Sequence, residues 1–334
     1  MDRDRFSRQM VLPWVGERGQ GRLARAKVLV AGCGALGSHT ASALLRAGVG
    51  HLVLVDRDVV EGSNLHRVAE LKSADLGRPK AEALADHLGR VYPEAELTVH
   101  VAHLGPKEAE RIIPEVDLVV DGLDNLESRY LVNEVCVKYK VPWIYTAVLS
   151  TYGMTMPILP GEGPCLRCLF PSPPPPGALP TCASAGILGP VPQALAALQA
   201  VSAIQILVGS PELSPGNLVY LDLWSRSWSA IQVEQAPGCP TCEKGEYPFL
   251  SRPSRAALLC GDAVQVLPTR PGRIDLGALA AKLAPLGRAE VRRGVLVATV
   301  EGASLTVFPD GRALIKGVRD PARAQALYDR YIAR

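Results

Sequence analysis

Apolar positions along the chain recur with two alternating periods. Lys27 to Ala31 and His51 to Val55 are short valine-rich runs suited to strands buried on both faces, whereas Ala35 to Ala47 and Lys80 to Val91 carry apolar residues at helical spacing. Gly48 stops the first helix and Pro79 opens the second. The alternation continues with a strand over Glu96 to Val101, a helix over Pro106 to Ile113 and a strand over Asp117 to Val120. A helix over Glu127 to Tyr139 and a strand over Val141 to Thr146 complete it. Strand and helix in strict turn call for a parallel sheet with right-handed crossovers. The lead-in, Asp4 to Arg25, is polar and reads as one or two short helices outside that sheet.

From Leu149 the pattern changes to hairpin-like strands, with further strands around Leu218 to Leu223 and Trp228 to Val233. Between them lie a proline run, Pro171 to Gly177, which reads as an exposed loop, and an apolar stretch, Ile187 to Val208. Glycines, prolines and glutamines interrupt that stretch, so it reads as a buried helix and not a membrane span. From about Leu250 the chain starts afresh: a strand over Ala263 to Leu267, a helix over Leu276 to Leu286, three strands within Ala289 to Lys316 and a helix over Asp320 to Ala333. The expected fold is α/β: a Rossmann-like, mostly parallel sheet with an antiparallel extension and zinc knuckles, plus a small C-terminal α+β domain. The expected domains are 1–248, with a nucleotide core at about 26–147 and the remainder at about 148–248, and 249–334, which holds no titratable cluster beyond Cys260 and Asp262 and is assigned no chemistry.

The turn after the first strand, Gly32-Cys33-Gly34-Ala35-Leu36-Gly37, spaces three glycines as a dinucleotide cradle does. The first permits a tight turn, the second lets a phosphate approach the backbone, and the third lets helix pack on strand. Phosphates would sit at the helix N-terminus, and Asp56, ending the second strand, stands where an acidic residue accepts bonds from a ribose. At this point NAD fits as well as ATP.

With 334 residues and 48% hydrophobic content, about two domains with full cores are expected. A net charge of +3, from 36 basic and 33 acidic residues, provides no field for nucleic acid. The N-terminal residues lack the apolar core of a signal peptide, so a cytoplasmic protein is expected. Four of the eight cysteines form two C-x-x-C pairs, Cys165 with Cys168 and Cys239 with Cys242. In a reducing compartment that spacing reads as a closed, structural Zn²⁺ site.

Arg8, Asn64, Arg67, Lys80 and Asp124 fall before or after consecutive strands, around the glycine turn. Hydride transfer has little use for several cations near cofactor phosphates. Attack on ATP by a carboxylate must bring two anions together, and cations offset that repulsion, with a strand-end Asp available for Mg²⁺.

At these residues the chain resembles the ubiquitin-activating-enzyme superfamily in its bacterial form, the ThiF/MoeB-type adenylyltransferases that act on small ubiquitin-fold sulfur carriers. The matching motifs are Arg8-Gln9, the glycine turn, Asp56, Ser63-Asn64-Leu65-His66-Arg67, Gly77-Arg78-Pro79-Lys80, Asp124-Asn125, both cysteine pairs and Thr181-Cys182. The resemblance implies a nucleotide site made by Gly32, Gly34, Ala35, Asp56, Ser63, Asn64, Arg67, Lys80, Asp124 and Asn125, with Asp124 on Mg²⁺. It implies that Arg8 reaches the triphosphate from a neighbouring subunit, hence a homodimer, and that Cys182 takes part in a later sulfur or acyl transfer. The implied reaction is ATP-dependent adenylation of the C-terminal glycine of a carrier ending in Gly-Gly, for molybdopterin, thiamine or thiolated-tRNA synthesis. No rhodanese-like segment follows, so sulfur is expected from a separate donor such as a cysteine desulfurase or a rhodanese. The competing readings are an NAD-binding oxidoreductase and a non-catalytic dimeric scaffold.

Overall fold

In a computed structural model, all residues are described except 1–2, 69, 175–179, 252–255, 259–262, 270–271, 319 and 334; the side chains of 182–183 and 256–258 are likewise outside the description. The chain forms two compact units, residues 1–180 with 184–252, and residues 253–334 with 181–183.

The first unit is built on an eight-stranded sheet ordered β3-β2-β1-β4-β5-β6-β7-β8. Its strands are β1 (Lys27–Ala31), β2 (His51–Asp56), β3 (Glu96–Val101), β4 (Leu118–Asp121), β5 (Trp143–Leu149), β6 (Tyr152–Ile158), β7 (Asn217–Asp222) and β8 (Ser227–Gln232). The first five run parallel, and β6 to β8 extend the sheet antiparallel from β5. Strand β1 shows why the apolar runs are continuous: Leu29 and Ala31 enter one core, Val28 and Val30 the other. Helices cover both faces. Ala41, Leu44 and Leu45 of α3 (Ala35–Arg46) and Leu84 and Leu88 of α4 (Lys80–Val91) pack in one core, and Ile112 of α5 (Pro106–Ile112) and Tyr130 of α6 (Leu126–Tyr139) in the other. Ahead of them lie α1 (Ser7–Met10) and α2 (Gly16–Leu23), and after them α7 (Leu166–Leu169), α8 (Cys182–Ala185) and α9 (Pro190–Val208).

Helix α9 is the expected apolar one. It is long and apolar enough to cross a membrane by length and composition, but its inner face, including Leu195, Ala196, Ala200 and Ala203, is buried against the unit's own cores. Gln199 in that face explains its own presence: its amide donates to the carbonyls of Asp121 and Ile144 at 3.0 and 3.2 Å and accepts from Thr40 at 2.6 Å. Of the proline run, residues 171–174 are irregular and 175–177 lie outside the described residues.

The second unit is a six-stranded antiparallel sheet ordered β11-β12-β13-β14-β10-β9. Its strands are β9 (Ala256–Leu258), β10 (Ala263–Val266), β11 (Ala289–Arg292), β12 (Val295–Val300), β13 (Ala303–Val307) and β14 (Ala313–Lys316). Leu279 and Leu283 of α10 (Leu276–Leu283) and Leu327 and Tyr328 of α11 (Pro321–Tyr331) share its core. The stretch expected to hold three strands holds four. Arg293 and Gly294 both take positive φ, 51° and 83°, the hairpin geometry that lets β11 fold straight onto β12. Cys260 and Asp262 lie outside the described residues.

Candidate active site

The sheet reverses its winding between β1 and β4, and ligands of open α/β sheets bind in the crevice outside the strand ends at such a point. Two glycines make this crevice. Gly32 has φ +97°, and a Cβ there would strike the carbonyl of Gly122 at the end of β4. A Cβ at Gly37 would strike the carbonyl of Gly32, so only glycine lets α3 close onto β1. Gly34 is the N-cap of α3 with no side-chain cap, and a Cβ added to it meets nothing within 4 Å. The first N–H groups of α3 are left for an anion.

About 510 Å³ of open space lies here, lined among others by Gly32, Gly34, Asp56, Asp58, Lys80, Asp124 and Asn125. Asp56 is 9% exposed; its two carboxylate oxygens accept the backbone N–H of Cys33 and of Asp58, each at 2.7 Å. Burial raises its pKa, and the Lys80 charge opposes the rise. Lys80 opens α4, with its Nζ 3.1 Å from Asp58. Burial disfavours its ammonium, yet Asp58 and Asp56 together hold its pKa above the ordinary lysine value, favouring the charged form. Asp124 stands at the mouth with a 42% exposed carboxylate that accepts from Arg57 at 3.2 Å and Asn125 at 3.0 Å. Asn125 is the N-cap of α6, accepting from Ser128 at 2.9 Å, and shapes the wall.

Other residues singled out from the sequence stand apart from this lining. Ala35 begins α3 and packs beside Val60 and Val68. Ser63, Asn64 and Arg67 form the neighbouring turn: Asn64 accepts the N–H of Glu61 at 3.1 Å, and the Arg67 guanidinium folds back onto the carbonyl of Ser63 at 2.6 Å. Arg8 lies in α1, whose next residue, Gln9, donates to the carbonyl of Ala47 at 2.8 Å, at the far end of α3 from the glycine turn. The side chain of Cys182 lies outside the described residues. Cys33 is buried with its thiol pKa raised, by burial first and then by Asp56, as suits a packing residue.

The sequence reading missed the pair behind this loop. Arg129 donates from Nε to Asp121 at 2.8 Å and from its other arm to the carbonyls of Leu123 and Thr146 at 2.6 and 3.0 Å. Asp121 also accepts the N–H of Leu123 at 2.8 Å and of Thr146 at 3.2 Å; burial raises its pKa and Arg129 opposes the rise. The sequence of α6 did not mark it: Arg129 stands among Glu127, Glu134 and Lys138, and only its burial in the fold shows that it must be paired.

The four cysteines form one cluster, with ligand sulfurs all within 4.8 Å of one another. The Cys165–Cys239 and Cys168–Cys242 sulfurs are 3.7 and 3.5 Å apart, too long for disulfides and close to the edge, about 3.8 Å, of a tetrahedron with zinc–sulfur bonds of about 2.3 Å. Both knuckles are fastened to α6: Leu166 donates to Asn133 at 2.8 Å, and Phe249 and Leu250 donate to Glu134 at 2.8 and 3.0 Å. A hydrogen bond from Cys165 lowers the Cys168 thiol to about 5, while burial and neighbouring sulfurs push Cys242 up to about 12. Four sulfurs in one spot resist ionising together, and a divalent cation is what such a donor set suits.

A doubly wound sheet with an uncapped glycine turn at its switch point, a strand-end carboxylate and a half-buried lysine defines a nucleotide-binding α/β protein. Residues 6–241 match the ThiF family, and the chain belongs to it. It is 35% identical to the sulfur carrier protein ThiS adenylyltransferase of Bacillus subtilis (strain 168), over 98% of this chain and 99% of that one. It is 41% identical to the sulfur carrier protein adenylyltransferase of Thermus thermophilus, over 72% of this chain and 90% of that one. The first match therefore spans the second unit. Among solved structures, E. coli MccB with ATP shares the fold, with a TM-score of 0.63 and 23% identity over 72% of this chain and 74% of that one.

Proposed function

We propose that this chain adenylates the C-terminal glycine of a ubiquitin-fold sulfur carrier ending in Gly-Gly. A carboxylate oxygen of the carrier attacks the α-phosphorus of ATP, the bond to the β-phosphate oxygen breaks, and pyrophosphate leaves with its electron pair. The observation that carries this reading is Lys80, its Nζ held 3.1 Å from Asp58, in one pocket with the uncapped start of α3. Joining two anions needs positive charge at the phosphates; Lys80 and the α3 N–H groups supply it there, against the carboxylates of Asp56, Asp58 and Asp124 in the same pocket. The α3 N–H groups and Lys80 receive the phosphates, Asp56 retains acceptor capacity for the ribose, and Arg67 reaches the triphosphate by leaving the Ser63 carbonyl. Asp124, exposed at the mouth, is the residue to hold Mg²⁺, which when bound neutralises phosphate charge.

Further parts of the reading rest on family membership. Arg8 completes the site of a partner subunit, and Val11, Leu12 and Trp14, exposed by 78, 44 and 57% just after it, suit a dimer face. The cysteine cluster holds a structural Zn²⁺. Cys182 acts after adenylation, with sulfur from a separate donor protein, in the cytoplasm, and the C-terminal α+β domain has a role outside the chemistry.

Exchange of labelled pyrophosphate into ATP tests the reaction. It is expected only when a carrier with an intact Gly-Gly end is present. Exchange absent with every such carrier, in protein that binds ATP, would refute carrier adenylation.

A further inference from the structure

Arg57 has no part in the reading above. It follows Asp56 at the end of β2, is only 12% exposed, and stretches its guanidinium between Asp124, at 3.2 Å, and Nδ1 of His103, at 3.5 Å. All three side chains line the pocket. The sheet order says what this part of the pocket receives. With phosphates at the start of α3, after β1, and the ribose at the end of β2, the nucleotide is directed towards the end of β3, one strand spacing of about 4.8 Å further on. There Ala102 and Leu104, after β3, and Val55 of β2 line the pocket with apolar surface.

We propose that Arg57 is a nucleobase-binding residue whose guanidinium exchanges between Asp124 and the purine. The inference rests on the adenylation reading, in which Asp124 turns to a Mg²⁺ carried by ATP. The exposed carboxylate then gives up Arg57, because a guanidinium and a divalent cation on the same oxygens repel one another. The released fork is planar, weakly hydrated and already beside the base, so it stacks on the purine face. The coupling is reciprocal: a purine that draws Arg57 away leaves Asp124 open to metal.

Calorimetry without carrier, so that no turnover occurs, tests this on the full-length protein with Mg²⁺ and either ATP or inorganic tripolyphosphate. Arg57→Ala is expected to weaken ATP about ten-fold or more while tripolyphosphate binds as tightly as before or tighter. Equal loss for both ligands would overturn the proposal by making Arg57 a plain phosphate cation. Unchanged ATP affinity in Arg57→Ala would overturn it too. So would full recovery in Arg57→Lys, which keeps the charge without the plane. Failure of the wild-type protein to bind ATP would sink the adenylation reading itself, whereas normal wild-type binding with an indifferent Arg57→Ala removes only this inference.

Discussion

Arg129 and Asp121 form an ion pair at 2.8 Å with side chains 9 and 0% exposed, directly behind the loop that carries Asp124. Together they tie the end of β4 to β5 and hold the backbone at Leu123, so the mouth of the pocket is positioned by a charge pair that stands outside its lining.

Removing one partner of such a pair leaves the other charge buried and uncompensated, at about 3–5 kcal/mol. Arg129→Met is therefore expected to lose stability of that order in chemical denaturation. Stability within about 1 kcal/mol of wild type would mean that water or a neighbour replaces the guanidinium.

The cysteine cluster makes a separate prediction, read by metal content. Purified without chelator, the protein is expected to hold one zinc per chain, and Cys239→Ser to lose both the metal and thermal stability, because closed four-thiolate sites contribute folding energy directly. Protein that is folded and free of zinc would remove the metal from the account.

The parallel sheet was legible because both faces of β1, β2 and β4 are buried, which writes a continuous apolar run into the sequence. The glycine turn was legible because close approach at Gly32 and Gly37 admits no other residue. The Asp121–Arg129 pair and Arg57 were not, since each looks like one more surface charge until a strand separated in sequence is placed beside it. One of the four strands within Ala289 to Lys316 went uncounted because neither Arg293-Gly294 nor Glu301-Gly302 carries the Asn or Asp that usually announces a two-residue hairpin. Placement after the second strand singled out Asn64 and Arg67 and family resemblance added Ser63; all three stand in a turn beside the pocket.

Asp124 is exposed, so its loss should leave the fold intact while depriving the triphosphate of its metal. Asp124→Ala is expected to unfold like wild type and to lose carrier-dependent pyrophosphate exchange. Near-normal exchange in the folded variant would take Asp124 out of the reaction.

Arg8 poses a question of distance. Within one chain, Gln9 fastens α1 to the carbonyl of Ala47, beyond the last residue of α3, whereas the phosphate cradle is at its first turn. A twelve-residue helix spans about 18 Å, beyond what one arginine side chain covers. That geometry favours a neighbour's site for Arg8. In a mixed dimer of Arg8→Ala and Asp124→Ala subunits, a trans arrangement makes one site with both residues intact and one with neither. Each parent homodimer lacks one residue in both sites. Arginines supplied in trans are worth about 10³ to 10⁵ in rate in other phosphoryl-transfer systems, so one restored site stands far above either parent. Co-expression with two affinity tags, followed by purification of the doubly tagged dimer, is expected to return up to about half of wild-type exchange activity. Activity no higher than that of either parent would mean that Arg8 does not complete a partner's site.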